Sequence, residues 1–181
     1  VAEGVTQTGQ EVTAIVTENM SKGDTSVCRM ARVAGAEVIP VDIGVARPVT
    51  GARIRQMCVR RGTADMTQGP AMSREEAVRA VLIGVEIARE LCGSGVKLLA
   101  TGEMGIGNTT TSSAVAAVLL DKPVEDMTGR GAGLSSEGLR RKIRAIETAV
   151  AVNRPDPVDV LDVLHKVGGL DIAGLAGVFL G

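Results

Sequence analysis

Apolar side chains recur at helical spacing in several stretches of this chain. The clearest stretch follows Ser73, which together with Glu76 has the S-x-x-E form of a capping box. Beyond it, apolar residues recur every three or four positions as far as Gly93, and this predicts a long helix. Patterns of the same kind predict further helices at 10–22, 24–34, 114–120, 137–152, 158–166 and 172–181.

Two short segments have the composition of strands. Residues 37–44 are rich in β-branched side chains and end at Gly44, although Pro40 makes this an edge strand or one with an irregular middle. Residues 96–101 form an apolar run directly after the long helix and predict a buried strand. Strands that alternate with helices favour a parallel sheet covered on its faces by helices. We therefore expect residues 1–181 to be a single α/β domain.

Composition narrows the class of protein further. The formal net charge is −1, with 20 basic and 21 acidic residues, so neither nucleic acid nor a membrane surface is an expected partner. The chain contains no apolar run of membrane-spanning length and does not begin with a signal-peptide pattern, so we expect a soluble protein of the cytoplasm. Its three cysteines form no C-x-x-C pair, which argues against a metal site. The 23 glycines and the near absence of aromatic residues favour an α/β enzyme over an aromatic-rich binding module.

A glycine-rich loop follows the second predicted strand. Residues 102–110 read GEMGIGNTT, between that strand and the next helix, where open α/β sheets often bind ligands. Asn108 stands where an ATP- or GTP-binding loop needs lysine, and Thr110 stands where a dinucleotide-binding loop needs its third glycine. Nucleotide triphosphate hydrolysis and dehydrogenation are therefore disfavoured.

Glu103 lies inside this loop and has several interpretations. Its carboxylate can hold ribose hydroxyls, stabilise positive charge that develops on a sugar, or accept a proton. It can also simply favour the start of the following helix, where acidic residues are stabilising. Residue spacing alone does not separate these roles.

A second glycine loop, TGRGAGL, spans residues 128–134 and precedes a helix that carries Lys142. Backbone N–H groups from Gly129 to Gly133 together with this lysine predict a site for one phosphate group. The alternative is a tight turn beside a solvated basic helix face. The sequence pattern favours neither interpretation.

Five segments, in order along the chain, resemble one family of enzymes. They are VDIG at 41–44, RRGTADMTQGPAMSREEA at 60–77, GEMGIGNTT at 102–110, GRGAGL at 129–134 and VGGLDIAGLAG at 167–177. The resemblance is to the nicotinate-nucleotide:dimethylbenzimidazole phosphoribosyltransferases, which assemble the lower ligand of cobalamin. It implies transfer of the phosphoribosyl group of nicotinate mononucleotide to 5,6-dimethylbenzimidazole, giving α-ribazole 5′-phosphate and nicotinate.

The resemblance also implies an architecture and a set of site residues. The implied fold is a three-layer, Rossmann-like α/β/α domain with a parallel sheet, beside a smaller domain built from the chain ends, in a homodimer. No metal or other cofactor is implied, and residues 6–10 are expected to border the base pocket. The implied site residues are Glu103, Gly105, Asn108 and Thr109 for ribose and phosphate, with Glu103 catalytic, Gly131 and Lys142 for phosphate, and Asp171 in a supporting role.

One feature of the family is missing from this sequence. The family's proposed general base is a glutamate in a GEGTGA-like segment, and residues 1–181 contain no such segment. We therefore expect the chain to be the central part of a longer enzyme, with most of its smaller domain absent, and to be weak or inactive by itself. The alternative is a non-catalytic nucleotide-binding or scaffolding module.

Overall fold

The computed structural model describes residues 1–181 and contains eight helices and two short strands. The elements in the first half of the chain are α1 (Glu11–Lys22), α2 (Ser26–Ala34), β1 (Val41–Asp42), β2 (Arg55–Gln56) and α3 (Arg74–Gly93). Those in the second half are α4 (Asn108–Leu119), α5 (Val124–Met127), α6 (Ser136–Asn153), α7 (Val160–Val167) and α8 (Leu170–Leu180).

The predicted helices are confirmed, and their ends follow local chemistry. Ser73 accepts a hydrogen bond from the backbone N–H of Glu76, and the Glu76 carboxylate accepts one from the N–H of Ser73, which completes the capping box of α3. Helix α2 begins slightly later than expected, because Thr25 is its cap and accepts a hydrogen bond from the N–H of Cys28. Helix α4 begins at Asn108, six residues before the predicted start at 114.

The sheet is parallel but small. Val41 pairs with Arg55 and Asp42 pairs with Gln56, so the α/β class with a parallel sheet is confirmed. The predicted strand at 37–44 is reduced to two residues, and its partner β2 was not predicted.

The prediction of a buried strand at 96–101 is wrong. No backbone hydrogen bond joins residues 97–104 to any other part of the backbone, and Leu98 is 86% exposed. An apolar run becomes a strand only when a neighbouring strand satisfies its N–H and C=O groups, and residues 1–181 provide no such neighbour here. The segment is therefore an exposed connection, without regular secondary structure, from α3 to the glycine loop.

The core is helical and is built mainly from small side chains. Thirteen buried residues from α3, α4, α6, α7, α8 and the 66–72 loop form its main cluster, and six of them are alanines. Helix α8 lies directly on α3. A Cβ atom at Gly84 would collide with the carbonyl oxygen of Gly174, and one at Gly177 would collide with that of Val81, so the two helix backbones touch. This contact fixes the N-terminus of α8, which carries Asp171, relative to the rest of the core.

Candidate functional site

The glycine loop at 102–107 is attached to the fold at its two final residues. The N–H of Ile106 donates a hydrogen bond to Thr13 Oγ1 of α1 at 2.9 Å, and Thr13 is itself buried. Gly107 follows with φ +99°, a left-handed conformation that a residue with a Cβ atom rarely adopts, and it turns the chain directly into α4. The loop is therefore held at its carboxyl end and open at its amino end.

Two carboxylates meet around Gly105. A Cβ atom built at Gly105 would lie 3.5 Å from Glu103 Oε2 and 3.6 Å from Asp171 Oδ2. Glu103 is exposed, whereas Asp171 is half-buried in the first turn of α8. No salt bridge involves either side chain. We call Glu103, Gly105 and Asp171 the acidic end of the site.

The pKa of Asp171 reflects this environment. Burial raises the pKa of its carboxyl group above the ordinary value, and the negative charge of Glu103 raises it further. The hydrogen bond from the N–H of Ile172 acts in the opposite direction but is smaller than the effect of burial. The structure thus places two like charges together in a partly desolvated position, without a cation to balance them.

Lys142 occupies the other side of the first turn of α4. Its side chain is fully buried, and Nζ donates hydrogen bonds to Thr109 Oγ1 at 2.7 Å and to the carbonyl oxygen of Gly129 at 3.1 Å. Burial lowers the pKa of the ammonium group, and no salt bridge compensates its charge. The interpretation of residue 142 as a solvated lysine is therefore wrong, although its neighbours Arg140 and Arg141 are exposed.

Gly131 closes this second group of residues. It has φ +56°, and a Cβ atom there would lie 3.0 Å from Thr109 Oγ1 and 3.7 Å from Lys142 Nζ. A side chain at this position would therefore press on Thr109 and lie against the ammonium group. We call Thr109, Gly129, Gly131 and Lys142 the basic end of the site.

The N-terminus of α4 lies between the two ends. Asn108 is its first residue, and no side chain caps this end, although the N–H groups of Asn108 and Thr110 donate hydrogen bonds to the carbonyl oxygens of Gly105 and Gly107. The dipole of α4 favours an anion at this position, next to Lys142. The site therefore has opposite charges at its two ends. It favours negative charge on a ligand at the basic end and positive charge at the acidic end.

A large cavity adjoins the acidic end. Its volume is about 1330 Å³, and Glu103, Gly105, Asn108 and Asp171 contribute to its lining. The other predicted site residues, Thr109, Gly129, Gly131 and Lys142, do not line this cavity and lie at the basic end instead.

The segment at 6–10 reaches both parts of the site. Gln7 Nε2 donates a hydrogen bond to the carbonyl oxygen of Gly133, in the loop at the basic end, at 2.9 Å. Gln10 lines the cavity and lies against Gly62 of a neighbouring loop. The placement is compatible with the predicted border of a base pocket, which stays a prediction.

Two threonines of this region were not predicted. Thr13 anchors the glycine loop, and Thr110 lines the cavity with a buried hydroxyl that has no hydrogen-bond partner. A signal for Thr13 exists in the sequence, since Thr13 and Thr17 are polar and lie four residues apart within an otherwise apolar helical pattern. Nothing in the sequence distinguishes Thr110 from its neighbours in the run of three threonines.

Other kinds of site are not found. No three His, Cys, Asp or Glu side chains lie together in a way that could hold a metal ion. None of the helices combines the length and the apolar character needed to cross a membrane.

Comparisons with known proteins cover the whole chain. A family model described as phosphoribosyltransferase, DBI_PRT, matches residues 1–181. A protein from Alkaliphilus metalliredigens that carries the name nicotinate-nucleotide--dimethylbenzimidazole phosphoribosyltransferase is 52% identical over 98% of this chain and 51% of its own length. A protein of the same name from Acetivibrio thermocellus is 51% identical over 100% of this chain and 52% of its own length.

Solved structures give the same result. The chain superposes on the crystal structure of CobT from Thermus thermophilus with a TM-score of 0.94 and 43% identity, over 99% of this chain and 54% of that one. The chain thus spans about half the length of the curated relatives and solved structures that it matches.

Proposed function

Because this chain belongs to the DBI_PRT phosphoribosyltransferase family, we propose that its protein transfers the phosphoribosyl group of nicotinate mononucleotide to 5,6-dimethylbenzimidazole. The products are α-ribazole 5′-phosphate and nicotinate, and the reaction belongs to cobalamin biosynthesis. The names of the curated relatives support this donor and this class of acceptor. Residues 1–181 then correspond to one α/β domain, the central part of a longer enzyme, which we expect to act as a cytoplasmic homodimer without a metal or other cofactor.

The opposite charges of the two ends are the observation that supports this proposal best. The donor carries a phosphate group on one side of its ribose and a positively charged pyridinium nitrogen on the other. Lys142, the loop at Gly131 and the N-terminus of α4 suit the phosphate. Glu103 and Asp171 suit the positive charge.

The chemistry assigns roles to these residues. The bond between C1′ and the pyridinium nitrogen breaks, its electron pair stays on nicotinate, and positive charge develops on the ribose. We assign the stabilisation of that charge to Glu103, because its carboxylate lies beside Gly105 at the cavity. A benzimidazole nitrogen then forms the new bond to C1′, and the proton on its other nitrogen leaves to a base, a role that we assign to a segment outside residues 1–181.

Calorimetric binding of nicotinate mononucleotide to the full-length protein and its Lys142→Met variant tests the basic end. We expect the variant to lose at least about 1.5 kcal/mol of binding free energy, the scale of a charged hydrogen bond. Gly131→Ala is a second variant, because it alters an exposed loop and not a buried position. Arg140→Met is the matched control, since Arg140 is an exposed basic residue of the same helix. Binding that all three variants leave unchanged would contradict the assignment of the phosphate.

Release of nicotinate tests the reaction itself. The full-length protein should form nicotinate only when 5,6-dimethylbenzimidazole is present, and residues 1–181 alone should form little or none. Donor binding without any nicotinate release by the full-length protein would instead support the non-catalytic nucleotide-binding module.

A further inference from the structure

We infer that Asp42 is a positioning residue for the acceptor: together with Arg61 it holds the wall of the cavity against which the 5,6-dimethylbenzimidazole ring binds. This inference rests on the proposed function and gives a role to a buried charge that the proposed function does not use. The wall consists of two loops, residues 43–46 and 62–64, and every residue of both loops lines the cavity. We call these two loops the cavity wall.

Asp42 is one of two charged residues that the fold buries completely. Asp42 and Lys142 are both 0% exposed, whereas every other acidic or basic residue is at least partly exposed. Taking a carboxylate out of water is costly, and a hydrophobic side chain of similar volume often gives the same stability or more. A buried charge with one fixed partner is instead suited to holding a single geometry.

The carboxylate of Asp42 connects the two loops of the cavity wall. Its Oδ1 accepts a hydrogen bond from the N–H of Val45 at 2.8 Å, and its Oδ2 accepts one from Arg61 Nη1 at 2.6 Å. Arg61 Nη1 also donates to the carbonyl oxygen of Val45 at 3.1 Å. Neither Asp42 nor Arg61 lines the cavity, so the pair acts from behind the wall.

Further contacts transmit this arrangement to the face of the wall. The N–H of Gly62 donates a hydrogen bond to the carbonyl oxygen of Gly44 at 3.0 Å, which joins the two loops directly. A Cβ atom at Gly44 would collide with Leu170 of α8, and one at Gly62 would lie 3.6 Å from Nε2 of Gln10, which also lines the cavity. The loops thus pack closely on each other and on their neighbours, so a movement of the pair moves the wall.

The chemistry of the two substrates determines which of them depends on the wall. The cavity adjoins the acidic end, where the ribose reacts, and more than half of the residues that line it are hydrophobic. 5,6-Dimethylbenzimidazole is flat, largely apolar and without a phosphate group, so its binding depends on the shape and the apolar surface of the cavity. The donor is also held by its phosphate at the basic end, which does not line the cavity. A displaced wall should therefore weaken the acceptor more than the donor.

Steady-state kinetics of nicotinate release by the full-length protein tests the inference. Asp42→Asn keeps an oxygen for the N–H of Val45 but removes the charge that pairs with Arg61. We expect KM for 5,6-dimethylbenzimidazole to rise at least about fivefold, while kcat and KM for nicotinate mononucleotide change by less than about twofold. Arg61→Met should give the same pattern.

A double variant and a control complete the experiment. Asp42→Asn combined with Arg61→Met leaves neither charge unpaired, so it gives an answer even if a single variant fails to fold. Its KM for the acceptor should show the same rise as a single variant, because the two residues act as one unit. The control is Arg55→Met in β2, since Arg55 pairs with Glu90 and neither residue lines the cavity. It should leave all three kinetic constants unchanged.

Three results would overturn the inference. The first is an unchanged KM for 5,6-dimethylbenzimidazole in the variants, and the second is an equal rise in KM for both substrates, which would show that the pair only stabilises the fold. The third is a double variant in which the two single effects multiply. A parent protein that releases no nicotinate in the presence of 5,6-dimethylbenzimidazole would instead overturn the proposed function, and the inference with it.

Discussion

The contact between α3 and α8 and the loop at 102–107 use glycine in opposite ways. At Gly84 and Gly177 the missing side chain lets two helix backbones touch, and no space remains. At Gly102 nothing lies within 4 Å of a built Cβ atom, and at Gly105 the nearest atoms are carboxylate oxygens at ordinary contact distance. Glycine in the first region determines stability, whereas glycine in the second leaves space for a ligand.

The largest expected effect is at the helix contact. Gly84→Val should destabilise the protein by about 3 kcal/mol, because the new side chain must displace the backbone of α8 at Gly174. Unfolding in urea, followed by circular dichroism, measures the change. The control is Gly93→Ala, at the last position of the same helix with open space around it, which should be neutral or stabilising by up to about 1 kcal/mol. Equal effects of both substitutions would contradict the described contact.

Gly105→Ala should separate binding from stability. The added methyl group fits the free protein, so the free energy of unfolding should change by less than about 0.5 kcal/mol. The same methyl group occupies the point between Glu103 and Asp171, so binding of nicotinate mononucleotide should weaken about tenfold, or roughly 1.4 kcal/mol. A variant that unfolds more easily but binds nicotinate mononucleotide normally would show that glycine at position 105 serves stability and not binding.

Thr13→Val tests how the loop is attached. The substitution keeps the shape of the side chain but removes the hydroxyl that accepts the hydrogen bond from Ile106 N–H. We expect a loss of about 1 kcal/mol in the free energy of unfolding. Hydrogen exchange at the Ile106 amide should accelerate accordingly, while amides in the middle of α3 should show only the change in global stability. Unchanged protection at Ile106 would show that the loop has another anchor.

The smallest expected effect is a change in pH dependence at Lys142. Burial places its folded-state pKa below the ordinary value of 10.5, so the unfolded chain binds the proton more tightly. Between the folded-state pKa and 10.5, the free energy of unfolding of the parent protein should therefore rise with pH. Lys142→Met should lack this rise. Urea unfolding of both proteins at several pH values in this range gives the free energy of unfolding against pH, and the difference between the two proteins isolates the contribution of Lys142. If the two proteins showed the same pH dependence, the hydrogen bonds of Lys142 would fully offset the effect of burial on its pKa.

Sequence patterns predicted the helices well because helix formation depends on neighbouring residues. The capping box at Ser73 and the apolar spacing that follows are complete within about twenty residues, so no distant partner is needed. A strand depends on another strand, which is why the apolar run at 96–101 misled: its backbone groups find no partner within residues 1–181.

The sequence predicted the candidate site only in part, because contacts between distant residues determine the rest of its geometry. Motif spacing located Glu103 and Lys142 on the correct loop and helix, but gave no measure of burial. The full burial of Lys142 follows from the packing of α6 against α4, and the approach of Asp171 to Gly105 follows from the packing of α8. Such contacts join residues far apart in the chain, and a pattern of neighbours does not contain them.

The unpaired backbone of residues 97–104 has a consequence for protease digestion. Proteases need free backbone groups in their substrates, and the exposed Lys97 offers trypsin a cleavage point in a segment that has them. A cut there would divide residues 1–181 into one piece with α1, α2 and α3 and another with α4 to α8. Because α8 lies directly on α3, the two pieces should stay associated, so the same position is suited to making residues 1–181 from two separately expressed pieces.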